Sequence, residues 1–457
     1  MAGTQNKFGI LSLISLVAIL AACQENKSNS PLLFKLDRPA FGPQTEVSAI
    51  DLKPEVKKQV LVNEDLREPR KSYKITTGNK FKIGVLLPLS GKYNKLGKSL
   101  LKGMELSFFE LGTKNQALLI FDTMGTIDGA RSSVRSAIKA GVKILVGPVF
   151  AAPSSAVASE KIGESLISIS LSNDLNASAS NAFVMGFFPS HRVQRVVSFA
   201  AAQRLKRFAA LLPDDGYGDF IAEALREAVA KVGGAVVRIE RYSRGQQETM
   251  VRAVKRLGRY NARKNALERR KLSLRNMKDP KSTRILKRLN DLETFGAVDF
   301  DAVLLIEKGR ALTALAALLP YYDIDIRKVR ILGIMDWSER SLIREPALKR
   351  AWYVTPAPMG LKIFKQKYEK TFGSGAHPLG PLAYDAMAVA VFLGRDSSSP
   401  LDMEALTNSR GFLGSAGLFR FKNNGLVERN YSIFEVSDNG ALEISRARRT
   451  FFSREIN

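Results

Sequence analysis

Two histidines, His191 and His377, and one cysteine, Cys23, are the whole supply of imidazole and thiol groups in 457 residues. A Cys/His metal site, or a thiol nucleophile with an imidazole base, needs such groups in combination. His191 follows Pro189 and Ser190 at a helix start, and His377 precedes Pro378 in a loop, positions that suit local structure. Neither a Gly-x-Ser-x-Gly nucleophile elbow nor a Gly-x4-Gly-Lys-Ser/Thr phosphate loop occurs. The stretch "GSGAHPLG" is glycine-rich but runs into Pro381 without a preceding strand. Carboxylates are scattered, which leaves open only a hydrolase built on two paired acids. The expectation is a non-catalytic protein with no metal and no cofactor.

Cys23 points to a different chemistry. Lys7 precedes an apolar run, Phe8 to Leu20, broken only by Gly9, Ser12 and Ser15, and then come Ala21, Ala22 and Cys23. Charged, apolar and small-residue regions in that order describe a signal peptide. The run is 13 residues long, against roughly 20 for a membrane span. The small-small-Cys ending resembles the bacterial lipobox. That resemblance implies a lipoprotein signal peptide over 1–22, cleavage before Cys23, lipidation of its sulfur and a membrane tether of two or three acyl chains. Gln24, where no Asp stands, resembles lipoproteins forwarded to the outer membrane, so the expected location is the periplasm of a Gram-negative bacterium. With Cys23 acylated no thiol remains for a disulfide, and stability rests on apolar cores.

The elements that position everything else begin at residue 80. Residues 23–79 are rich in Lys, Glu, Asp, Asn, Ser and Pro without sustained periodicity, and read as the lipidated Cys and a flexible spacer. Fully extended at about 3.3 Å per residue, the spacer reaches on the order of 180 Å. Then "FKIGVLLPLSG" is a buried strand and loop, "LGKSLLKGMELSFFELG" a helix closed by Gly112, and "ALLIFDT" a strand. The alternation continues through "VKILVGP" and "LISISLS", and a second series starts after "MGFFPSHR" with "FAALLPDD" and "GDFIAEALREAVAKVG". Strands separated by single helices mean parallel sheets flanked by helices. Two consecutive series mean two α/β lobes.

The string "VLLPLSGKYNKLGKSLLKGMELSFFELG", with Gly97 and Gly103, resembles the opening of the type I periplasmic binding proteins of the leucine/isoleucine/valine-binding group. "ILVGPVFAAPSSAVA", "LLPDDGYGDFIAEALREAVAKVGGAVV" and "LAYDAMAVAVFL" resemble further segments of that family, in order, between about Phe81 and Ile444. The implied fold is two Rossmann-like lobes joined by three crossovers, with a cleft between them. Lobe 1 takes 80–188 plus about 356–415, and lobe 2 takes about 189–355 plus 416–450. Loops implied to face the cleft carry Ser90, Ala151, Ser172, Asn173, Asp174, Tyr217, Glu307 and Asp336. In amino-acid binders of the family a Ser or Thr hydroxyl holds the ligand carboxylate where this chain has Ala151. Asp336 stands where an acid holds the ammonium, and Tyr217 where an aromatic covers the ligand.

The chain also resembles the penicillin-binding protein activators, outer-membrane lipoproteins with this fold in their C-terminal portion. The features that carry this are the lipidated Cys23 with Gln24, the spacer, "SLSND", and a basic insertion ahead of "VDFDAVLLIEKG". Better-known activators carry an N-terminal helical-repeat domain, for which residues 24–78 are too few. The partners implied are a peptidoglycan synthase in this reading. In the alternative they are an ABC permease, with a small polar ligand closing between Ser90, Asn173, Tyr217 and Asp336.

The balance of 70 Lys and Arg against 44 Asp and Glu, net +26, is the footprint of a nucleic-acid binder, but export argues against that partner. The charge is also uneven: 252–288 carries 15 basic and two acidic residues, 13 of the net 26. A basic helical insertion over 250–292 is expected in lobe 2, with one helix ended at Asp279-Pro280. Its candidate interaction surface is Arg256, Arg259, Arg263, Lys264, Arg269, Arg270 and Lys271, suited to an anionic lipid, wall polymer or acidic protein. The absence of interleaved aromatics disfavours single-stranded nucleic acid.

Overall fold

The computed structural model describes residues 80–160, 166–277, 279–335, 337, 342, 344–395, 401–448 and 451. The signal segment, Cys23 and the spacer lie outside the described residues. Phe81–Leu87 (β1) is buried at every position but Lys82, as a strand covered on both faces must be. It lies between Gln116–Asp122 (β2) and Ile144–Val146 (β3). Ile167–Ser170 (β4) and Ala182–Val184 (β5) complete a parallel sheet of order β2-β1-β3-β4-β5. The intervening helices are Asn94–Leu111 (α1), Ile127–Lys139 (α2) and Ala151–Ser159 (α3).

Residues 185–188 lead out of this lobe into Pro189–Ala202 (α4), Arg207–Pro213 (β6), Gly216–Lys231 (α5) and Ala235–Tyr242 (β7). There follow Gln247–Leu257 (α6), Tyr260–Met277 (α7), Pro280–Asn290 (α8), Ala302–Leu305 (β8), Gly309–Tyr321 (α9), Arg330–Gly333 (β9) and Trp352–Thr355 (β10). Residues 356–357 return the chain to the first lobe through Pro358–Phe372 (α10), Gly380–Leu393 (α11) and Met403–Leu406 (α12). An antiparallel sheet of Phe412–Gly414 (β11), Gly417–Phe421 (β12) and Val427–Arg429 (β13) comes next. Residues 430–431 cross once more to Ser432–Ser437 (β14) and Gly440–Ser445 (β15). These close a second sheet of order β15-β14-β10-β9-β8-β6-β7, in which β14 alone runs antiparallel to the other strands.

Both sheets are covered on both faces. Leu100 and Met104 of α1 pack with Leu382 and Ala386 of α11 on one side of the first sheet, and Ala130, Val134 and Val157 cover the other. In the second, Val193, Val196, Ile221 and Leu225 oppose Ala253, Val254, Leu312 and Leu315 across the strands. Each fully buried Leu or Ile contributes roughly 1.5–3 kcal/mol of transfer free energy.

Two expected boundaries move. Residues 416–429 belong with the first lobe, because Phe419, Phe421 and Val427 join its core, so the first lobe runs to Arg429 and the second resumes at Ser432. The insertion starts after Gly258 and not at 250, because Met250, Ala253, Val254 and Leu257 of α6 are core residues of the second sheet. What projects is the hairpin of α7 and α8, with its own small core of Leu267, Leu274 and Leu289. Asp279 caps α8, its carboxylate accepting from the N–H groups of Lys281 at 3.0 Å and Ser282 at 2.9 Å, with Pro280 at the first helical position.

Candidate functional site

Open α/β sheets bind ligands at the C-terminal ends of strands where the strand order reverses. In the first sheet that point lies between β1 and β3, and in the second between β6 and β8. Ser90 and Ala151 follow the first pair, Tyr217 and Glu307 the second.

The loop after β1 is fixed from β2. Asp122 Oδ1 accepts from the backbone N–H groups of Met124 at 2.8 Å, Leu89 at 2.9 Å and Ser90 at 3.3 Å. Burial alone would raise this carboxyl, but the Ser90 hydroxyl and these N–H groups outweigh it and hold it below its ordinary range. Helix α1 is pressed onto the same loop through Gly97, where a Cβ would lie 2.0 Å from the Pro88 carbonyl oxygen. The second lobe repeats the device: a Cβ on Gly218 would lie 2.0 Å from the Pro213 oxygen.

Ala151 opens α3, is exposed, and offers backbone alone. The hydroxyl of buried Ser172 accepts from the Asp174 N–H at 3.0 Å. Asp174 in turn accepts from the Asn176 N–H at 3.0 Å and the Ser155 hydroxyl at 3.2 Å. These side chains lock their own loop; Asn173 alone of the three is exposed.

In the second lobe the candidates join a wider network. Glu307, 9% exposed, accepts at one oxygen from the Tyr242 hydroxyl at 2.7 Å and from Arg244 Nε at 2.9 Å. Arg244 also pairs with Asp215 Oδ2 at 3.0 Å, while Asp215 Oδ1 caps α5 by accepting from the Gly218 N–H at 2.8 Å. The indole of buried Trp337 donates to the Glu307 carbonyl at 3.1 Å. Burial alone would lower Arg244, but Glu307 and Asp215 hold it raised. Burial, then Glu307, pushes the Tyr242 phenol far up. Tyr217 lies 6.0 Å from the Arg244 guanidinium, its own phenol raised by burial.

The candidates thus form three self-bonded groups: Ser90 with Asp122, Ser172 with Asp174 and Ser155, and Glu307 with Tyr242, Arg244 and Asp215. No hydrogen bond among the described residues joins a first-lobe group to the Glu307 group. Asp336 lies outside the described residues. Asp122, Tyr242 and Arg244 escaped sequence reasoning, whereas Asp215 opens the loop of Tyr217 already expected to face the cleft; the signal of the other three was position at strand ends, beside the loops already singled out. His377 is local structure, its Nδ1 accepting from the Leu379 N–H at 3.1 Å. Among the described residues no three His, Cys, Asp or Glu side chains are grouped to hold a metal. No helix among them is long and apolar enough to cross a membrane. Two open depressions of about 420 and 400 Å³, one lined by Arg420 and Lys422 and the other by Arg131 and Arg135, include none of the candidates.

The sequence profile described as "Periplasmic binding protein" matches residues 80–258. A putative branched-chain amino acid ABC transporter protein from Rhodospirillum rubrum superposes with a TM-score of 0.61 at 15% identity, over 80% of this chain and 100% of that one. Full-length LpoA from Haemophilus influenzae gives 0.57 at 16% identity, over 80% of this chain and 59% of that one. The C-domain of LpoA from the same organism, described as a regulator of PBP1A, gives 0.55 at 16% identity, over 79% and 99%. The chain has the type I periplasmic binding protein fold. No curated protein matches it in sequence.

On this type I fold the basic hairpin divides into anchors and free charge. Arg263 donates to the carbonyls of Asp323 at 2.9 Å, Gly296 at 3.1 Å and Gly258 at 3.3 Å, fastening the base. Arg256, on α6 ahead of the hairpin, is held by Glu240 at 2.5 Å, and Lys271 lies 3.4 Å from Glu268. These three are therefore not open interaction groups. Arg259, Lys264, Arg269 and Arg270 are exposed and form no ion pair among the described residues.

Proposed function

We propose that the protein is a non-catalytic, lipid-anchored periplasmic regulator that contacts a peptidoglycan synthase, as LpoA is described as a regulator of PBP1A. The observation that carries this is the state of the cleft groups. Glu307, Asp215, Ser172 and Asp174 all have partners within the chain, and Ala151 has no hydroxyl to give. An amino acid would have to displace those bonds, and each broken bond to a charged group costs about 1.5–3 kcal/mol. The exposed face of the hairpin, with Arg259, Lys264, Arg269 and Arg270, supplies a surface for an acidic partner. Lipidation at Cys23 and the outer membrane as its site belong to the same proposal.

The second reading, a receptor feeding an ABC permease, is favoured by the full-length overlap with the Rhodospirillum protein. The two separate on ligand binding. A receptor gains RT ln(1 + [L]/Kd), about 2.7 kcal/mol at a hundredfold excess over Kd. We expect no member of a panel of the common amino acids to raise the melting temperature. A saturable rise with one of them would favour the receptor.

A further inference from the structure

Seven buried side-chain polar atoms have no hydrogen-bond partner among the described residues, and six of them lie at the crossovers between the lobes. They are His191 Nδ1, Arg192 Nε, Arg429 Nε and Nη1, Asn430 Nδ2 and the Tyr431 hydroxyl. Such clustering is unlike a native core, where buried polar atoms are nearly all satisfied. Arg429 is 5% exposed and Tyr431 1%.

Two of these residues carry charge that nothing nearby neutralises by contact. Neither Arg192 nor Arg429 has an ion pair among the described residues, though twenty such pairs occur elsewhere. Their guanidinium carbons lie 5.6 and 5.1 Å from the same ring, Phe187 in the first crossover, and Arg192 is also 5.6 Å from the Tyr431 ring. Each makes one ordered bond: Arg192 to the Ile334 carbonyl at 3.1 Å, Arg429 to the Met185 carbonyl at 3.1 Å. The one carboxylate that acts on Arg429 electrostatically is Asp385. Its two oxygens already accept from the Ser415 N–H at 2.6 Å and the Ala416 N–H at 3.1 Å. A buried guanidinium left without a counter-ion is among the costliest arrangements a core can hold. Unpartnered donors from both lobes, beside two guanidinium groups that lack a direct ion pair, are the chemistry of an oxyanion site.

We propose that the crossovers hold a small oxyanion, a carboxylate or phosphate group, between Arg192 and Arg429, with Asn430 and Tyr431 as further donors. Arg192 starts the second lobe and Arg429 ends the first. The bound group therefore ties the two together and favours the lobe arrangement that encloses it. Arg429 and Tyr431 are buried, whereas Arg192 and Asn430 are half-buried. This oxyanion site goes beyond the regulatory reading and does not rest on it, since it makes no use of the partner's identity.

The test uses the purified folded protein, titrated with phosphate, acetate or succinate against chloride at constant ionic strength. Melting temperature and calorimetry are the readouts. The expected result is a saturable rise in melting temperature for at least one oxyanion. Phosphate alone would mark a phosphate site, and acetate or succinate alone a carboxylate site. Arg192→Gln should weaken that binding tenfold or more. Arg429→Met should abolish it while melting, without anion, no lower than the unaltered protein. If Arg429→Met fails to fold, Arg192→Gln decides: unchanged affinity overturns the proposal. So does the absence of a saturable effect with every oxyanion, which would leave water as the occupant.

Discussion

Replacing Arg244 by Met tests whether the second-lobe cleft wall is a structural latch or a waiting ligand site. Arg244 links Glu307, whose side chain is 11% exposed, to Asp215 at 28%, and is itself 35% exposed. Removing one partner of a fully buried ion pair costs about 3–5 kcal/mol, mostly because the other charge is left behind. Partial exposure reduces this to about 2–3 kcal/mol here. Glu307 keeps only the Tyr242 hydroxyl in Arg244→Met, so the double variant Arg244→Met/Glu307→Gln should be more stable than the sum of the singles. The expected coupling is about 1–2 kcal/mol. Urea unfolding of the four proteins, with m unchanged, gives the cycle. A loss under about 0.5 kcal/mol for Arg244→Met with additive singles would refute the latch and return these groups to ligand binding.

His191 gives a pH signature. Burial, then nearby Lys422, lowers it from 6.5 to about 4, so between those values the unfolded chain binds a proton that the folded one refuses. Stability from this group is complete above 6.5 and falls by up to about 3 kcal/mol as pH drops toward 4. His191→Phe should flatten that part of the curve in urea titrations, and an unchanged slope would contradict the assignment. Gly97→Ala should cost about 3 kcal/mol, because its Cβ meets the Pro88 carbonyl at 2.0 Å, whereas Gly103→Ala, at 3.2 Å from the Gly380 oxygen, should cost under about 1. Equal melting temperatures for the two would refute the close approach. Leu274→Asp should open the hairpin to trypsin within 260–290 while the body's melting point stays within about 3 °C, since the hairpin core is separate from the sheet cores. A drop above about 10 °C would show that the hairpin and body unfold together.

The two-lobe architecture was legible because parallel strands buried on both faces leave continuous apolar runs such as Phe81–Leu87, separated by helix-period segments. The helix break at Asp279-Pro280 was legible because capping is local. What failed was long-range. Residues 416–429 were expected in lobe 2, because nothing local tells that the pairing and packing of Gly417–Phe421 return it to the first lobe. In α6, the basic residues around Met250, Val254 and Leu257 masked a core stripe at helical spacing. Glu307 was found from its loop, but Arg244, 63 residues earlier, was not, because sequence carries no sign of which arginine folds onto which acid. Arg192 and Arg429 show the same limit more sharply: in a chain with 70 basic residues, composition cannot mark the two that meet at the crossovers.

The central claim, that this body works by contact with a wall synthase, is tested most directly by crosslinking the protein in living cells and identifying the captured proteins by mass spectrometry. The account predicts a peptidoglycan synthase, with the yield reduced when Arg259, Lys264, Arg269 and Arg270 are changed together to Gln. Capture of an ABC permease in its place, insensitive to those four changes, would contradict it.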